Sequence, residues 1–131
     1  MAALGRNLRR AFGISWLALG ACGGPELRGV VQSMPSRDAQ GRLLAGRPIA
    51  RARVDLVCGP GERVVRTFTT DGAGKLAVEF ENAVPNGCWF AMSRAGFVSR
   101  TIRVLNVCAM GHASRCEAMG LTARLVPERA P

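Results

Sequence analysis

Five cysteines and one histidine carry most of the chemistry open to this chain. Cys58, Cys88, Cys108 and Cys116 form one group, and Cys22 stands apart near the start. Paired, the four later cysteines would make two disulfides. Unpaired, Cys108-x3-His112-x3-Cys116 would offer three ligands at even spacing, and zinc accepts both sulfur and imidazole. That spacing suits a helix face, but Gly111 and Gly120 argue for a loop. Oxidising surroundings remove free thiolates, so the compartment decides between the two. Nucleophilic catalysis has little to draw on. It needs a nucleophile beside an activating base, and the chain has one His and no Tyr. Asp38, Asp55, Glu62, Asp71, Glu79 and Glu81 fall on turns or outward strand faces. No P-loop, dinucleotide fingerprint or metalloprotease motif is present. The chain therefore reads as a non-enzyme without a cofactor.

The compartment is written in the first two dozen residues. Arg6, Arg9 and Arg10 make a basic start, and Ala11 to Ala21 form an uncharged apolar run. At about 11 residues this run is too short to span a bilayer, which takes about 20. Basic, apolar and small residues in that order are the layout of a secretory signal. Leu19-Gly20-Ala21-Cys22 resembles a bacterial lipobox, in which the cysteine is acylated and becomes the first residue of the mature protein. The resemblance implies a signal peptide over 1–21, lipid on Cys22 and a tether over 22–26. Bacterial lipoproteins of this kind carry three acyl chains, and two or more give stable attachment. Gly23 stands where an Asp would hold the protein at the inner membrane, which favours the outer membrane.

Lipid on Cys22 leaves an even number of cysteines outside the cytoplasm, as two disulfides require. Four cysteines allow three pairings. We favour Cys58–Cys88 and Cys108–Cys116, the second closing a short loop through Gly111, His112 and Ser114. His112 then reads as a solvated loop residue.

Removing residues 1–21 from 131 leaves 110, enough for one domain. The removed piece carries three Arg and no acid, so 18 − 3 = 15 basic residues remain against 9 acidic ones. Every basic residue but Lys75 is Arg. With many Ala, Gly and Pro, that bias reflects nucleotide composition more than a binding surface. A basic surface still favours anionic headgroups or polysaccharide as partners. Nucleic acid is not expected, since no helix-turn-helix, zinc finger or aromatic single-strand platform is found.

The elements that must hold the cysteines are short β-type runs broken by Gly, Pro and Asp. Leu27 to Ser33 is the first. Met34 to Pro48 is polar and turn-rich. In Ile49 to Cys58, Ala52, Val54, Leu56 and Cys58 share one face while Arg51, Arg53 and Asp55 share the other. Such alternation marks a half-buried strand. Arg63 to Thr70, Leu76 to Phe80, Gly87 to Ser93, Phe97 to Cys108 and Leu121 to Val126 complete the set, and no long helix follows the signal. In the run after Gly87, Cys88, Phe90 and Met92 share the inward parity and Trp89 the outward one; a Trp partly covered by the loop after Cys108 is the favoured reading, and a fully outward ring is the alternative. About seven strands over 27–127 predict an all-β sandwich.

Gly29-Val30-Val31, Gly46-Arg47-Pro48-Ile49, Thr69-Thr70-Asp71-Gly72-x-Gly74-x-Leu76, Pro85-x-Gly87-Cys88 and Ala95-Gly96-Phe97 occur in order. This set resembles the carboxypeptidase regulatory-like domain, a transthyretin-like (prealbumin-like) sandwich. The resemblance implies a non-catalytic module found beside enzymes and in surface proteins. Gly72 and Gly74 permit the positive φ that a tight turn can require. Asp71 is expected to cap that turn, and Gly96 to turn Phe97 into the core. One enzyme class shares the fold, the hydroxyisourate hydrolases. Those depend on several His and a terminal Tyr-Arg-Gly-Ser, which a chain with one His and no Tyr does not match.

Two functions follow as expectations. The first is a lipid-anchored structural or binding module of the bacterial envelope, with an envelope protein or polysaccharide as partner. The alternative is a carbohydrate-binding lipoprotein that stacks sugar on Trp89.

Overall fold

A computed structural model describes residues 23–129; the signal segment and Cys22 lie outside them. The strands, in chain order, are β1 (Glu26–Ser33), β2 (Ser36–Arg37), β3 (Leu43–Leu44), β4 (Arg53–Cys58), β5 (Arg63–Thr69), β6 (Lys75–Glu79), β7 (Val84–Pro85), β8 (Trp89–Ser93), β9 (Arg100–Arg103), β10 (Cys108–His112) and β11 (Arg115–Leu125). One helical turn, α1 (Val104–Val107), separates β9 from β10.

Two sheets form the architecture. The first runs β10-β11-β1-β6, with β7 on the start of β11. The second runs β5-β4-β8-β9. The β2–β3 pair is a small hairpin between β1 and β4. In the first sheet β1 and β11 are parallel, and the other neighbours are antiparallel. The fold is an all-β sandwich.

Period-two alternation builds the core. Val54, Leu56, Phe90 and Met92 face inward from the second sheet, and Leu27, Val31, Leu121, Ala123 and Leu125 from the first. All are buried, and each of the larger ones is worth about 1.5–3 kcal/mol by transfer from water. The edge strands β5 and β6 do not pair with each other. Along that open side Phe68 meets Phe80 edge to face, with centroids 5.8 Å apart. The Arg66 guanidinium lies 5.0 and 5.3 Å from the two rings and donates to the Glu79 carbonyl.

The turn joining β5 to β6 shows why its residues are needed. The buried Thr70 hydroxyl donates to the Ile49 carbonyl at 2.7 Å and accepts from the Ala52 N–H at 2.9 Å. Asp71 Oδ1 accepts from the N–H groups of Ala73 and Lys75, as expected of a cap. Gly74 has φ +73°, and a Cβ there would sit 2.5 Å from the Val31 carbonyl oxygen. Gly72 is not at positive φ. Of the two glycines that permit it, Gly74 takes the left-handed step. Gly96 does take positive φ, and Phe97 after it packs against the core.

The last third departs further from expectation. Phe97 to Cys108 is not one strand but β9, α1 and the start of β10. The final strand begins at Arg115 rather than Leu121. The segment around His112 is a hairpin arm rather than a loop. Ala113 and Ser114 both take positive φ at its tip, the conformation that suits a two-residue hairpin turn.

Strand direction divides the molecule into two ends. The base holds the start of β1 and β11, the ends of β4 and β6, and the hairpin tip. The top holds the β2–β3 hairpin, the Thr70–Gly74 turn, the β8–β9 corner and the exit of β11. Backbone bonds tie it together: Ser33 N–H to the Arg47 carbonyl, Val31 N–H to Gly74, Met34 N–H to Leu125 and Val98 N–H to Val126.

Candidate functional site

The cysteines form two pairs at disulfide distance, and they are the favoured ones. Cys58 and Cys88 have Cα atoms 4.4 Å apart, at the base of the second sheet. Cys108 and Cys116 have Cα atoms 5.8 Å apart and clip the β10–β11 hairpin. Both spacings lie in the range a disulfide can bridge. Cys108 and Cys116 are bonded to each other and so present no thiolates to a zinc ion, while His112 is exposed on the hairpin arm. Among the described residues no group of three or more His, Cys, Asp or Glu is gathered to hold a metal.

Trp89 is half-buried on the outer face of the second sheet. Its ladder partners place it in a row that crosses all four strands: Val64, Val57, Trp89, Arg103. Val57 is only 6% exposed although it lies on this outward face, so its large neighbours Trp89 and Val64 shield it. The next row on the same face is Thr67, Asp55, Ala91, Thr101, and Arg53 and Ser93 follow. An aromatic ring thus borders a field of small hydroxyl side chains, with Arg103 at one side.

Asp55 is the acid in that field, and its hydrogen bonds are taken. Thr67 Oγ1 donates to Asp55 Oδ1 at 2.7 Å, and Arg53 Nε donates to the same atom at 2.9 Å. Partial burial would raise its pKa, but the bonds from Thr67 and Arg53 and the Arg53 charge outweigh it. The carboxyl is held below its ordinary value and stays ionised. It therefore braces the sheet rather than standing ready to move a proton.

A groove of about 620 Å³ opens between the sheets at the base, lined by Arg66, Glu79, Phe80, Glu81, Asn82 and Pro85 among others. Trp89 is not among its walls. Sequence reasoning named Trp89 but missed Arg103 and Thr101. Their place beside it depends on the β8–β9 pairing, for which a run read as one long strand carries no signal. Cys22, the lipidation candidate, lies outside the described residues; β1 begins four residues after it. No helix among the described residues is long and apolar enough to cross a membrane.

A scan of protein-family models and a search of curated proteins both find no match to this chain. The resemblance to the regulatory-like domain rests on the quoted residues alone.

Proposed function

We propose that this protein is a non-catalytic module of the bacterial envelope, lipid-anchored through Cys22 and directed by Gly23 to the outer membrane. The observation that carries the reading is the join between anchor and fold. The Phe80 N–H donates to the Pro25 carbonyl at 2.8 Å, and β1 begins at Glu26. Four residues reach about 14 Å at full extension, so lipid on Cys22 would keep the base of the sandwich close to the bilayer. Two disulfides support an oxidising compartment on the way to that membrane. The carboxypeptidase regulatory-like resemblance supports a structural or binding role. Cys22→Ala tests the anchor. The wild type is expected in the membrane pellet and the variant in the soluble fraction. Wild-type protein in the soluble fraction would contradict the reading.

The second reading is carbohydrate binding at the Trp89 face. The row Trp89–Arg103, with Thr101 in the next row of the same face, favours it: a flat ring with polar neighbours suits a sugar. A glycan array on the wild type and on Trp89→Ala tests it. Signal lost in the variant supports the reading, and no wild-type signal rejects it.

A further inference from the structure

We infer that the top of the sandwich, the end away from Cys22, is a docking surface for an acidic protein partner. The argument starts from where the charge lies. Ten of the 15 basic residues left after Cys22 belong to the top half, against four of the nine acidic ones. The base half holds five of each, so the entire net positive charge of the folded chain sits at one end. Arg37, Arg42, Arg47, Arg94, Arg100 and Arg124 are exposed there. The four acids offset only part of this, leaving 10 − 4 = 6 positive charges at the top. Asp38 is paired with Arg42 at 3.2 Å and Asp55 with Arg53 at 2.9 Å, and Asp71 is occupied by backbone N–H groups.

The same end exposes aliphatic side chains. Met34, Leu43, Leu44, Val98 and Val126 are 41, 65, 46, 52 and 51% exposed. They lie on adjoining backbone. Met34 is bonded to Leu125, the residue before Val126; Val126 is bonded to Val98; and Leu44 lies across from Ser36, two residues after Met34. Arg100 donates to the Arg124 carbonyl on β11, across to the other sheet. Exposed aliphatic residues ringed by charged ones match the anatomy of a protein interface, an apolar centre inside a polar rim. A lone polyanion would need the arginines but not Leu43 and Leu44. A bilayer would favour Trp or Tyr at the rim, and no exposed aromatic is found among the described residues of this end. The partner chemistry that fits is a protein face with carboxylates around an apolar centre. Long-range charge would speed its arrival. The surface exists whatever Cys22 carries; only its direction, outward from the membrane, rests on the anchor reading.

The test uses the full chain, extracted from membranes in detergent and immobilised. The probes are a soluble peptide of Glu with interspersed Leu, poly-glutamate of equal charge, polygalacturonate and vesicles of phosphatidylglycerol. The Glu/Leu peptide is expected to bind tightest and to weaken as salt rises. Arg37→Glu with Arg42→Glu, and separately Leu43→Ser with Leu44→Ser, are each expected to weaken it about tenfold. Arg63→Glu with Arg115→Glu, at the base, is expected to leave it unchanged. No binding, equal binding of all four probes, preference for the glycan or the vesicles, or equal loss in the base variant would each overturn the proposal. Because the probes meet solubilised protein, such a failure leaves the anchor untouched, and the mass of the chain reads the anchor separately.

Discussion

Cys58 stands across from Cys88 one step beyond the Val57–Trp89 pair of the β4–β8 ladder, with 4.4 Å between their Cα atoms. The bond therefore closes the base of the second sheet, where the ladder runs out. The second bond closes the hairpin beside it. On the chain-entropy account, separations of 30 and 8 residues are worth about 3.5 and 2.5 kcal/mol. Replacing both partners of a pair by Ser is expected to lower the unfolding free energy in that order, the β4–β8 pair costing more. Urea denaturation of the two double variants checks it.

Thr70 is the one buried polar side chain among the described residues. Thr70→Val keeps the shape but leaves the Ile49 carbonyl and the Ala52 N–H without their partner. Stranding buried backbone groups costs about 1–3 kcal/mol each. With two groups stranded, a loss of about 2–6 kcal/mol is expected by thermal denaturation, and a loss near zero would show that water replaces the hydroxyl.

The neighbouring glycines separate conformation from space. Gly74→Ala must place a Cβ against the Val31 carbonyl at φ +73°, so a loss above about 1 kcal/mol is expected. Gly72→Ala meets no atom within 4 Å and is expected to change stability little. The comparison is read from the two midpoints in urea.

Acid is expected to weaken the fold through two carboxylates. Asp71 is held below its ordinary value of 3.8 chiefly by the Lys75 and Ala73 N–H groups. Asp55 is held below the same value because Thr67 and Arg53 outweigh the effect of burial. Both groups take up protons more readily unfolded than folded. Their stabilisation is therefore whole above 3.8 and is lost as pH falls through the lowered values. Thermal midpoints from about pH 5 downward should fall less steeply for Asp55→Asn and for Asp71→Asn than for the wild type.

The strands that alternate without interruption were legible in the sequence, and those that slip were not. From Ala52 into β4, Ala52, Val54 and Leu56 keep one parity up to Cys58, and the structure buries all three. In β11 the buried positions pass from Cys116 to Met119, an odd step, before Leu121, Ala123 and Leu125 resume period two. The facing strand breaks register at Cys108, Met110 and Gly111. A bulge of this kind shifts which residues point inward, so a pattern search finds the strand only from Leu121 on. Trp89's outward parity could be read from its neighbours in the chain. Arg103 beside it, and the gathering of arginines with Leu43 and Val126 at the top, depend on contacts between distant segments.

The central claim is that this sandwich is held at a membrane by lipid on Cys22, and the intact mass of the full chain tests it most directly. The protein would be expressed in a Gram-negative host, extracted from membranes and never reduced. The account predicts a species beginning at Cys22, heavier by a diacylglyceryl group and one further acyl chain, and lighter by the four hydrogens of two disulfides. A species that keeps residues 1–21, or begins at Cys22 without lipid, would contradict it.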